Sequence, residues 1–370
     1  MGQRGTLMTD KAKRKVSPRR RLLFRLIFGI GVLVALIASG VYLLRPTGAQ
    51  IVFIAPDDEG INQIWIAEVN NPENPRQLTF RDTGNIAGLA IPETGDLFVY
   101  SPCMTEGCEI WTYNLSTNQN TLILSCENYC WRYDLHPNGQ LLTYEQHIDE
   151  TWSIEIHVYD LQSGVNHLIY KEDYLDIVSS RNPQWVGRSN QVAFHGGDGT
   201  IFYDYENHTS ETRNLYNFRT GAPYPPRMYF PEARNYYAFS PSGASHIIVR
   251  QIDSPDEDYF VLSLSSDDPD GSFYLNDWDT NNHAILVFED RSYGHELNLY
   301  EIETGEKINL LNNNNEFLYR TAQFNYDSSQ ILYYVEDADD VQIMLYNMET
   351  DEEITLPLFG HNPHWVNGGR

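Results

Sequence analysis

Two short stretches, LHPNGQLLTY at residues 135–144 and YDLQSG at 159–164, decide the fold because both recur along the chain. The first is typical of a strand, a tight turn and an apolar strand, and the second of a strand end with its following turn. Stretches related to the first occur at 91–100, 239–249, 278–288 and 324–334. Repetition of this kind predicts one supersecondary unit built several times over.

The spacing of the second element predicts the size of that unit. Its strand ends at Val69, Leu115, Leu161, Tyr205, Leu264, Ile302 and Met348, so the steps are 46, 46, 44, 59, 38 and 46 residues. Four strands in a repeat of this length form one blade of a β-propeller. We therefore predict an all-β propeller of seven blades over residues 51–370, with six blades as the fallback if the steps of 59 and 38 conceal a miscount.

The two ends of the repeat region complement each other. The first copy begins at 51–55, IVFIA, without a preceding strand, whereas 362–366, NPHWV, repeats 182–186, NPQWV. We predict that this carboxyl-terminal strand completes the first blade and closes the ring, which removes two exposed sheet edges.

The turns carry a family resemblance. Pro137-Asn138-Gly139 and Pro241-Ser242-Gly243, together with YDLQSG and with YEIETG at 300–305, resemble the WD-repeat-like propellers of bacterial TolB-type proteins. The resemblance covers residues 51–370 and implies an architecture rather than an activity. TolB-type proteins have an additional amino-terminal domain and are periplasmic, so a TolB partner is not implied for this chain.

The amino-terminal segment has a different composition. Residues 1–21 hold eight basic side chains and one acid, and 22–44 reads LLFRLIFGIGVLVALIASGVYLL, with 19 uncharged residues after Arg25. As a helix those residues span about 28 Å, close to the hydrocarbon thickness of a bilayer. We predict a cytoplasmic tail (1–21), a single transmembrane anchor (22–44), a linker (45–50) and an exported propeller, oriented by the positive-inside rule. A cleaved signal peptide and a twin-arginine signal at Arg19-Arg20-Arg21 are the alternatives.

The charge of the chain excludes one class of partner. The 370 residues include 51 acidic and 25 basic side chains, a net charge of −26, and residues 46–370 alone carry −35. Nucleic-acid binding depends on Lys and Arg that displace counterions, so we predict no nucleic-acid partner.

The acids recur in the segments predicted to join the second and third strands of each blade, which all lie at one end of a propeller. We interpret them as an acidic surface that binds a cationic partner, because clustered like charge focuses the electric field. The alternative is that Asp is simply a good turn residue and that solvated charge keeps the domain soluble. The candidate binding residues are Asp57, Asp58, Glu59, Asp149, Glu150, Asp256, Glu257, Asp258, Glu289, Asp290, Asp337, Asp339 and Asp340. The first blade begins with its second strand, so the short linker places the opposite end of the propeller toward the membrane and the acidic end away from it.

One long connection departs from the repeat. The stretch between Tyr216 and Tyr236 is rich in Pro and aromatic residues and accounts for the step of 59 residues. Long loops are often functional, and Tyr and Arg are common in interface hot spots. We predict a recognition loop, with a loop packed over the channel mouth as the alternative. Its candidate residues are Arg219, Tyr224, Arg227, Tyr229, Phe230 and Arg234.

The four cysteines form two close pairs, Cys103 with Cys108 and Cys126 with Cys130. An exported location favours disulfides, with local pairing first, crossed pairing second and a four-thiolate zinc site third. No cofactor and no metal are predicted. A structural cation is the alternative, since 266–271, SDDPDG, faintly resembles a calcium loop but lacks its final Glu.

These observations predict a membrane-anchored extracytoplasmic propeller that binds another envelope or cell-surface protein as a scaffold. No nucleophile elbow, phosphate-binding loop or zinc-protease motif is present. The alternative function is a carboxylate-based hydrolase or lyase acting on cell-surface polymers. Two buried carboxylates lining one deep pocket would favour that alternative.

Overall fold

The computed structural model describes residues 49–92, 95–105, 107–126, 129–148, 153–173, 181–196, 199–213, 227–229, 236–240, 246–252, 254–263, 271–279, 284–291, 294–313, 318–325, 327–336 and 341–366. All regular structure in these residues is β-strand, and none of them belongs to a helix long and apolar enough to cross a membrane. The predicted tail and transmembrane anchor, residues 1–44, lie outside the described part of the chain.

In the described part of the chain, twenty-eight strands form seven antiparallel four-stranded sheets, which confirms the seven-bladed propeller. The strands of the first four sheets are β28 with β1 (Gln50–Pro56), β2 (Asn62–Glu68) and β3 (Asn71–Gln77); β4 (Asn85–Ala90), β5 (Leu97–Met104), β6 (Gly107–Asn114) and β7 (Gln119–Cys126); β8 (Cys130–Leu135), β9 (Leu141–Ile148), β10 (Ser153–Asp160) and β11 (Val165–Asp173); and β12 (Gln184–Trp185), β13 (Gln191–Gly196), β14 (Gly199–Asp204) and β15 (Thr209–Arg213).

The remaining sheets follow in chain order. Their strands are β16 (Arg227–Tyr229), β17 (Tyr236–Ser240), β18 (His246–Gln251) and β19 (Ser254–Ser263); β20 (Ser272–Asp279), β21 (Ala284–Arg291), β22 (Gly294–Glu301) and β23 (Lys307–Asn313); and β24 (Leu318–Phe324), β25 (Gln330–Glu336), β26 (Val341–Asn347) and β27 (Glu352–Phe359), with β28 (His361–Val366) in the first sheet. Each sheet is one blade, and we number blades 1–7 in this order.

The core lies between the blades rather than at one centre. Among the described residues, seven buried apolar clusters each join two neighbouring blades, and one of them joins blade 7 to blade 1. Side chains alternate along a strand, so Val52 and Ile54 pack toward blade 2 while Ile51 and Phe53 pack toward blade 7. Burial on both faces explains why the second strands read as continuous apolar runs.

The carboxyl-terminal strand β28 is the innermost strand of blade 1. It pairs antiparallel with β1, with Ile51 opposite Trp365 and Gln50 opposite Val366. Trp365 belongs to the cluster shared with blade 7 and Val366 to the cluster shared with blade 2, and both are fully buried. The last described residues of the chain therefore fill space on both sides of the first blade.

The YDLQSG-type stretches form the turns between third and fourth strands. Asp160 accepts hydrogen bonds from the backbone N–H groups of Gln162 and Ser163 at 2.8 and 3.1 Å, and Asp204 accepts one from Asn207. Bonds from Ser163 hold the pKa of Asp160 below its usual value, and bonds from Asn207 do the same for Asp204. The turns end on residues with left-handed backbone, namely Asn118, Gly164, His208, Gly305 and Asp351. Part of the acidity of the chain thus serves turn formation.

Blade 5 differs from the sequence prediction in its phase. If Asp256, Glu257 and Asp258 join a second to a third strand, as predicted, then 239–249 must be the first two strands of the blade. In the structure β17 and β18 are its second and third strands, and β16 from the long connection is its first. Consequently Asp256, Glu257 and Asp258 lie within the outermost strand β19, not between a second and a third strand. The error arises because every antiparallel hairpin has the same strand–turn–strand pattern.

Candidate functional site

One end of the propeller carries the candidate binding surface. Because strands alternate in direction, the hairpins between second and third strands and the connections between successive blades lie at the same end. We call this the hairpin end. The opposite end, which carries the YDLQSG-type turns, is called the turn end.

Both disulfides lie at the hairpin end. Cys103–Cys108 joins β5 to β6 across a hairpin, and Cys126–Cys130 joins β7 of blade 2 to β8 of blade 3. The predicted local pairing is confirmed, and the crossed pairing and the zinc site are wrong because all four sulfurs are in these bonds. Within the described residues, no group of three or more His, Cys, Asp or Glu side chains is arranged to hold a metal ion.

The acidic hairpin of blade 1 divides into a structural residue and two exposed ones. Asp57 Oδ1 accepts the backbone N–H groups of Glu59 and Ile61, both at 3.0 Å, and its Oδ2 accepts Gln63 Nε2 at 2.9 Å. The bond from Gln63 and those from the backbone lower the pKa of Asp57. Asp58 and Glu59 are exposed. Only these last two remain directed to solvent and available to a partner.

Gln63 also fixes the neighbouring connection between blades 1 and 2. Its buried amide donates to the carbonyl of Arg81 at 2.8 Å and accepts bonds from Thr79 Oγ1 at 2.9 Å and from the Arg81 N–H at 3.1 Å. The residue between these two anchored positions, Phe80, is 78% exposed. Sequence reasoning missed Phe80, because a single Phe after a strand is normally a core residue.

The side chain of Arg81 turns inward, away from this exposed surface. Its guanidinium group forms an ion pair with Glu109 at 2.9 Å and lies 5.3 Å from the centre of the Trp111 ring. Trp111 Nε1 donates to the same carboxylate at 2.8 Å. The positive charge of Arg81 is therefore paired with Glu109 inside the junction between blades 1 and 2.

Glu289 requires a correction. It was predicted as an exposed binding residue, but it is fully buried and contacts Arg291, Tyr300 and Lys307. Arg291 Nε donates at 2.9 Å, and Lys307 Nζ lies 3.3 Å away and also binds Glu296 at 2.8 Å. We call Glu289, Arg291, Glu296, Tyr300 and Lys307 the blade 6 charge cluster. Its two acids and two cations balance, so it is a structural element.

The electrostatics of this cluster agree with that role. Burial raises the pKa of Glu296, but hydrogen bonds from Lys307 and Asn298 outweigh it, so the pKa lies below its usual value. Burial and the bond to Glu289 raise the pKa of Tyr300, which keeps the phenol protonated as a donor. The neighbouring Asp290 keeps 44% of its side chain exposed and lies 3.1 Å from His295 Nδ1.

A second buried carboxylate, Glu145, joins blades 3 and 4. His147 Nε2 lies 2.6 Å from its Oε1, and the backbone N–H groups of Arg181 and Asn182 donate to its Oε2 at 2.6 and 3.1 Å. The side chain of Arg181 forms an ion pair with Glu172 at 2.5 Å. Glu145 and Glu289 belong to blades 3 and 6 and are each bonded within their own cluster, so these two do not form a facing catalytic pair.

The remaining predicted residues are placed only in part. Asp256 and Glu257 lie in β19, while Arg227 and Tyr229 lie in β16. Asp258 is exposed and forms an ion pair with Arg250 at 2.6 Å. The residues outside the described part of the chain are Asp149, Glu150, Asp337, Asp339, Asp340, Arg219, Tyr224, Phe230 and Arg234.

This arrangement defines a seven-bladed β-propeller with a cross-linked, partly acidic hairpin end. No family model matches the chain, and no curated protein matches it in sequence. Among solved structures it is similar to TolB from Acinetobacter baumannii, with 14% identity and a TM-score of 0.51 over 86% of this chain. The match spans 66% of the TolB chain.

Two further solved structures are similar over most of their length. The β-propeller domain of the Trilobed protease from Pyrococcus furiosus has 13% identity and a TM-score of 0.58, covering 85% of this chain and 95% of that one. Oligogalacturonate lyase from Vibrio parahaemolyticus has 12% identity and a TM-score of 0.56, covering 76% and 82%. The predicted resemblance to TolB-type propellers is confirmed for the fold, and at these identities the likeness extends to the fold alone.

Proposed function

We propose that the protein is a single-pass, membrane-anchored, extracytoplasmic propeller that binds a cationic envelope or cell-surface protein as an assembly scaffold. The hairpin end is the binding surface and is directed away from the membrane. Asp58, Glu59 and Asp290 contribute at this end. The predicted recognition segment contributes Arg219, Tyr224, Phe230 and Arg234, together with Arg227 and Tyr229, which lie in strand β16 rather than in a loop.

Export is supported by the two disulfides. Disulfides persist in oxidising compartments and are rare in the cytosol. The apolar segment 22–44 follows a basic tail, which is the pattern of an anchor whose amino terminus stays in the cytoplasm.

The orientation is supported by chain connectivity. β1 is the second strand of its sheet and begins at the turn end, beside Val366. The linker 45–50 extends at most about 20 Å, so the turn end is the one nearer the membrane. In this proposal, the pairing of β28 with β1 completes blade 1 and so closes the ring of blades.

The observation that carries the binding proposal is that some acidic side chains at the hairpin end are buried and others are exposed. Glu145 and Glu289 are fully buried and compensated, whereas Asp58 and Glu59 are exposed on a hairpin fixed by Asp57. Exposed charge on a fixed element attracts a partner of opposite charge without first having to be ordered. A hydrolase or lyase has no comparable supporting observation among the described residues.

The test is chemical crosslinking of the anchored protein in intact cells, comparing wild type with Asp58→Asn/Glu59→Gln. We expect the variant to lose its principal crosslinked species, because neutral side chains no longer attract a cationic surface. The matched control is Glu206→Gln/Glu349→Gln, which removes two exposed acids from the turn end and leaves the crosslinks intact. Identical crosslinks for wild type and Asp58→Asn/Glu59→Gln would contradict the proposal.

A further inference from the structure

The four cysteines form a continuous row across the hairpin end of blade 2. Cys108, on the third strand β6, is directly opposite Cys103 on β5 and also directly opposite Cys126 on β7. Cys126 ends β7, and its disulfide leads to Cys130, the first residue of β8 in blade 3. Residues directly opposite each other on paired strands point to the same face of the sheet. Cys108 therefore has a cysteine neighbour on each side, and its disulfide partner is Cys103.

The position of Cys126 opposite Cys108 suits a second possible disulfide. Directly opposite residues of an antiparallel pair have Cα atoms about 4.5–5.5 Å apart. The Cα atoms of disulfide-bonded cysteines are usually about 4.4–6.8 Å apart. A bond between the sulfurs of Cys108 and Cys126 therefore fits the existing pairing of β6 with β7.

Burial makes the two disulfides unequal toward a reductant. Cys103 is partly exposed, whereas Cys108, Cys126 and Cys130 are 2%, 4% and 1% exposed. The bridge from Cys126 to Cys130 lies in the buried cluster that joins blades 2 and 3. Reduction of a disulfide begins with attack of a thiolate on one sulfur, so its rate depends on access to that sulfur. A reductant in solution therefore attacks Cys103, and Cys108 leaves as the thiolate.

We infer that the four cysteines form a thiol–disulfide exchange site, which takes a dithiol reductant and moves the bridge between blades 2 and 3 into blade 2. One thiolate of the reductant bonds to Cys103 Sγ and breaks the bond to Cys108. The second thiol of the reductant then displaces Cys103 Sγ, which closes the disulfide of the reductant and leaves Cys103 as a thiol.

The freed thiolate completes the exchange inside the protein. Cys108 attacks Cys126 Sγ, the Cys108–Cys126 bond forms, and Cys130 Sγ leaves and takes up a proton. The reductant loses two electrons and two protons, and the protein gains them as the thiols of Cys103 and Cys130. Two disulfides thus become one disulfide and two thiols.

The exchange changes which strands are covalently joined. The bridge from β7 to β8 is replaced by a bridge from β6 to β7, and these last two strands belong to the same blade. The connection between blades 2 and 3 is then held by noncovalent contacts, including a hydrogen bond of 3.1 Å from the His147 N–H to the Tyr129 carbonyl. The reaction therefore releases a tether at the hairpin end while blade 2 stays cross-linked. It needs no binding partner, so it stands apart from the proposed function.

The experiment maps the disulfides of the full chain in detergent after treatment with one molar equivalent of dithiothreitol. The reaction is stopped with acid, and free thiols are blocked with N-ethylmaleimide before digestion. A Glu-specific protease cleaves after Glu106, Glu109 and Glu127, which places each cysteine on a separate peptide. We expect mass spectrometry to find the Cys108 peptide joined to the Cys126 peptide, with maleimide on the two remaining cysteines.

The matched control is Cys108→Ser, which keeps the bridge from Cys126 to Cys130 but lacks the thiol that attacks it. Modification of Cys130 is expected to be at least about tenfold slower in this variant than in wild type, because a neighbouring group held in place reacts much faster than one from solution. Near-ultraviolet circular dichroism of the untreated variant verifies that it folds like wild type.

Two results would overturn the inference. The first is equal rates of Cys130 modification in wild type and Cys108→Ser, which would mean that the reductant attacks the buried bridge directly. The second is modification of Cys103 and Cys108 in wild type while Cys126 and Cys130 stay joined. This second result comes from the wild-type chain alone, so it decides the matter even if the variant does not fold.

Discussion

Removal of residues 361–370 abolishes cooperative unfolding of the propeller. The deletion takes away β28, including the fully buried Trp365 and Val366, and it leaves β1 with an unpaired edge. Loss of a buried Trp side chain alone costs about 3–5 kcal/mol. The free energy of unfolding of a whole domain is only about 5–15 kcal/mol. We therefore expect the loss of the strand, and of the packing on both its sides, to exceed the stability of the propeller.

The measurement is near-ultraviolet circular dichroism of the full chain in detergent during heating, with 7 Trp and 25 Tyr as reporters. Removal of residues 367–370 alone is the control and keeps a single sharp transition, because β28 remains complete. Trp365→Ala gives an intermediate result, a folded protein with lowered stability. A cooperative transition of wild-type amplitude in the longer truncation would contradict a closing role for β28.

Replacement of Glu289 by Gln destabilises the domain by about 3–5 kcal/mol, the usual cost of removing one partner from a buried ion pair. The change leaves Arg291 and Lys307 with the single carboxylate of Glu296 and weakens the acceptor for Tyr300. Chemical denaturation of the full chain in detergent measures the loss.

The matched control is Asp290→Asn, at the adjacent and partly exposed position. It changes the free energy of unfolding by less than about 1 kcal/mol, since surface ion pairs contribute little. Equal effects at positions 289 and 290 would mean that the blade 6 charge cluster is not a structural element.

The architecture was predictable because it depends on local periodicity. Strand-forming runs and turn residues repeat at nearly constant spacing, and the match between 362–366 and 182–186 identifies β28 as an innermost strand. Blade 5 was misassigned because its first strand is only three residues long and lies within the long connection. Nothing in a hairpin pattern distinguishes first and second strands from second and third.

The candidate site was less predictable because its residues are defined by contacts distant in sequence. Glu289 looks like an ordinary hairpin acid, yet its partners Tyr300 and Lys307 come from β22 and β23. Phe80 looks like a core residue until the bonds made by Gln63 reveal that the connection is fixed with the ring outward. The disulfides were predictable because each pair is close in sequence and flanks a predicted connection.

The most direct test of the account is labelling of single introduced cysteines in intact cells with a membrane-impermeant maleimide. All four native cysteines are disulfide-bonded, so Glu59→Cys at the hairpin end and Gln162→Cys at the turn end each add one free thiol at an exposed position. An exported propeller anchored through its turn end predicts rapid labelling at position 59 and slower labelling at position 162. Labelling of neither until the membrane is permeabilised, or protection of position 59 with ready labelling of 162, would contradict it.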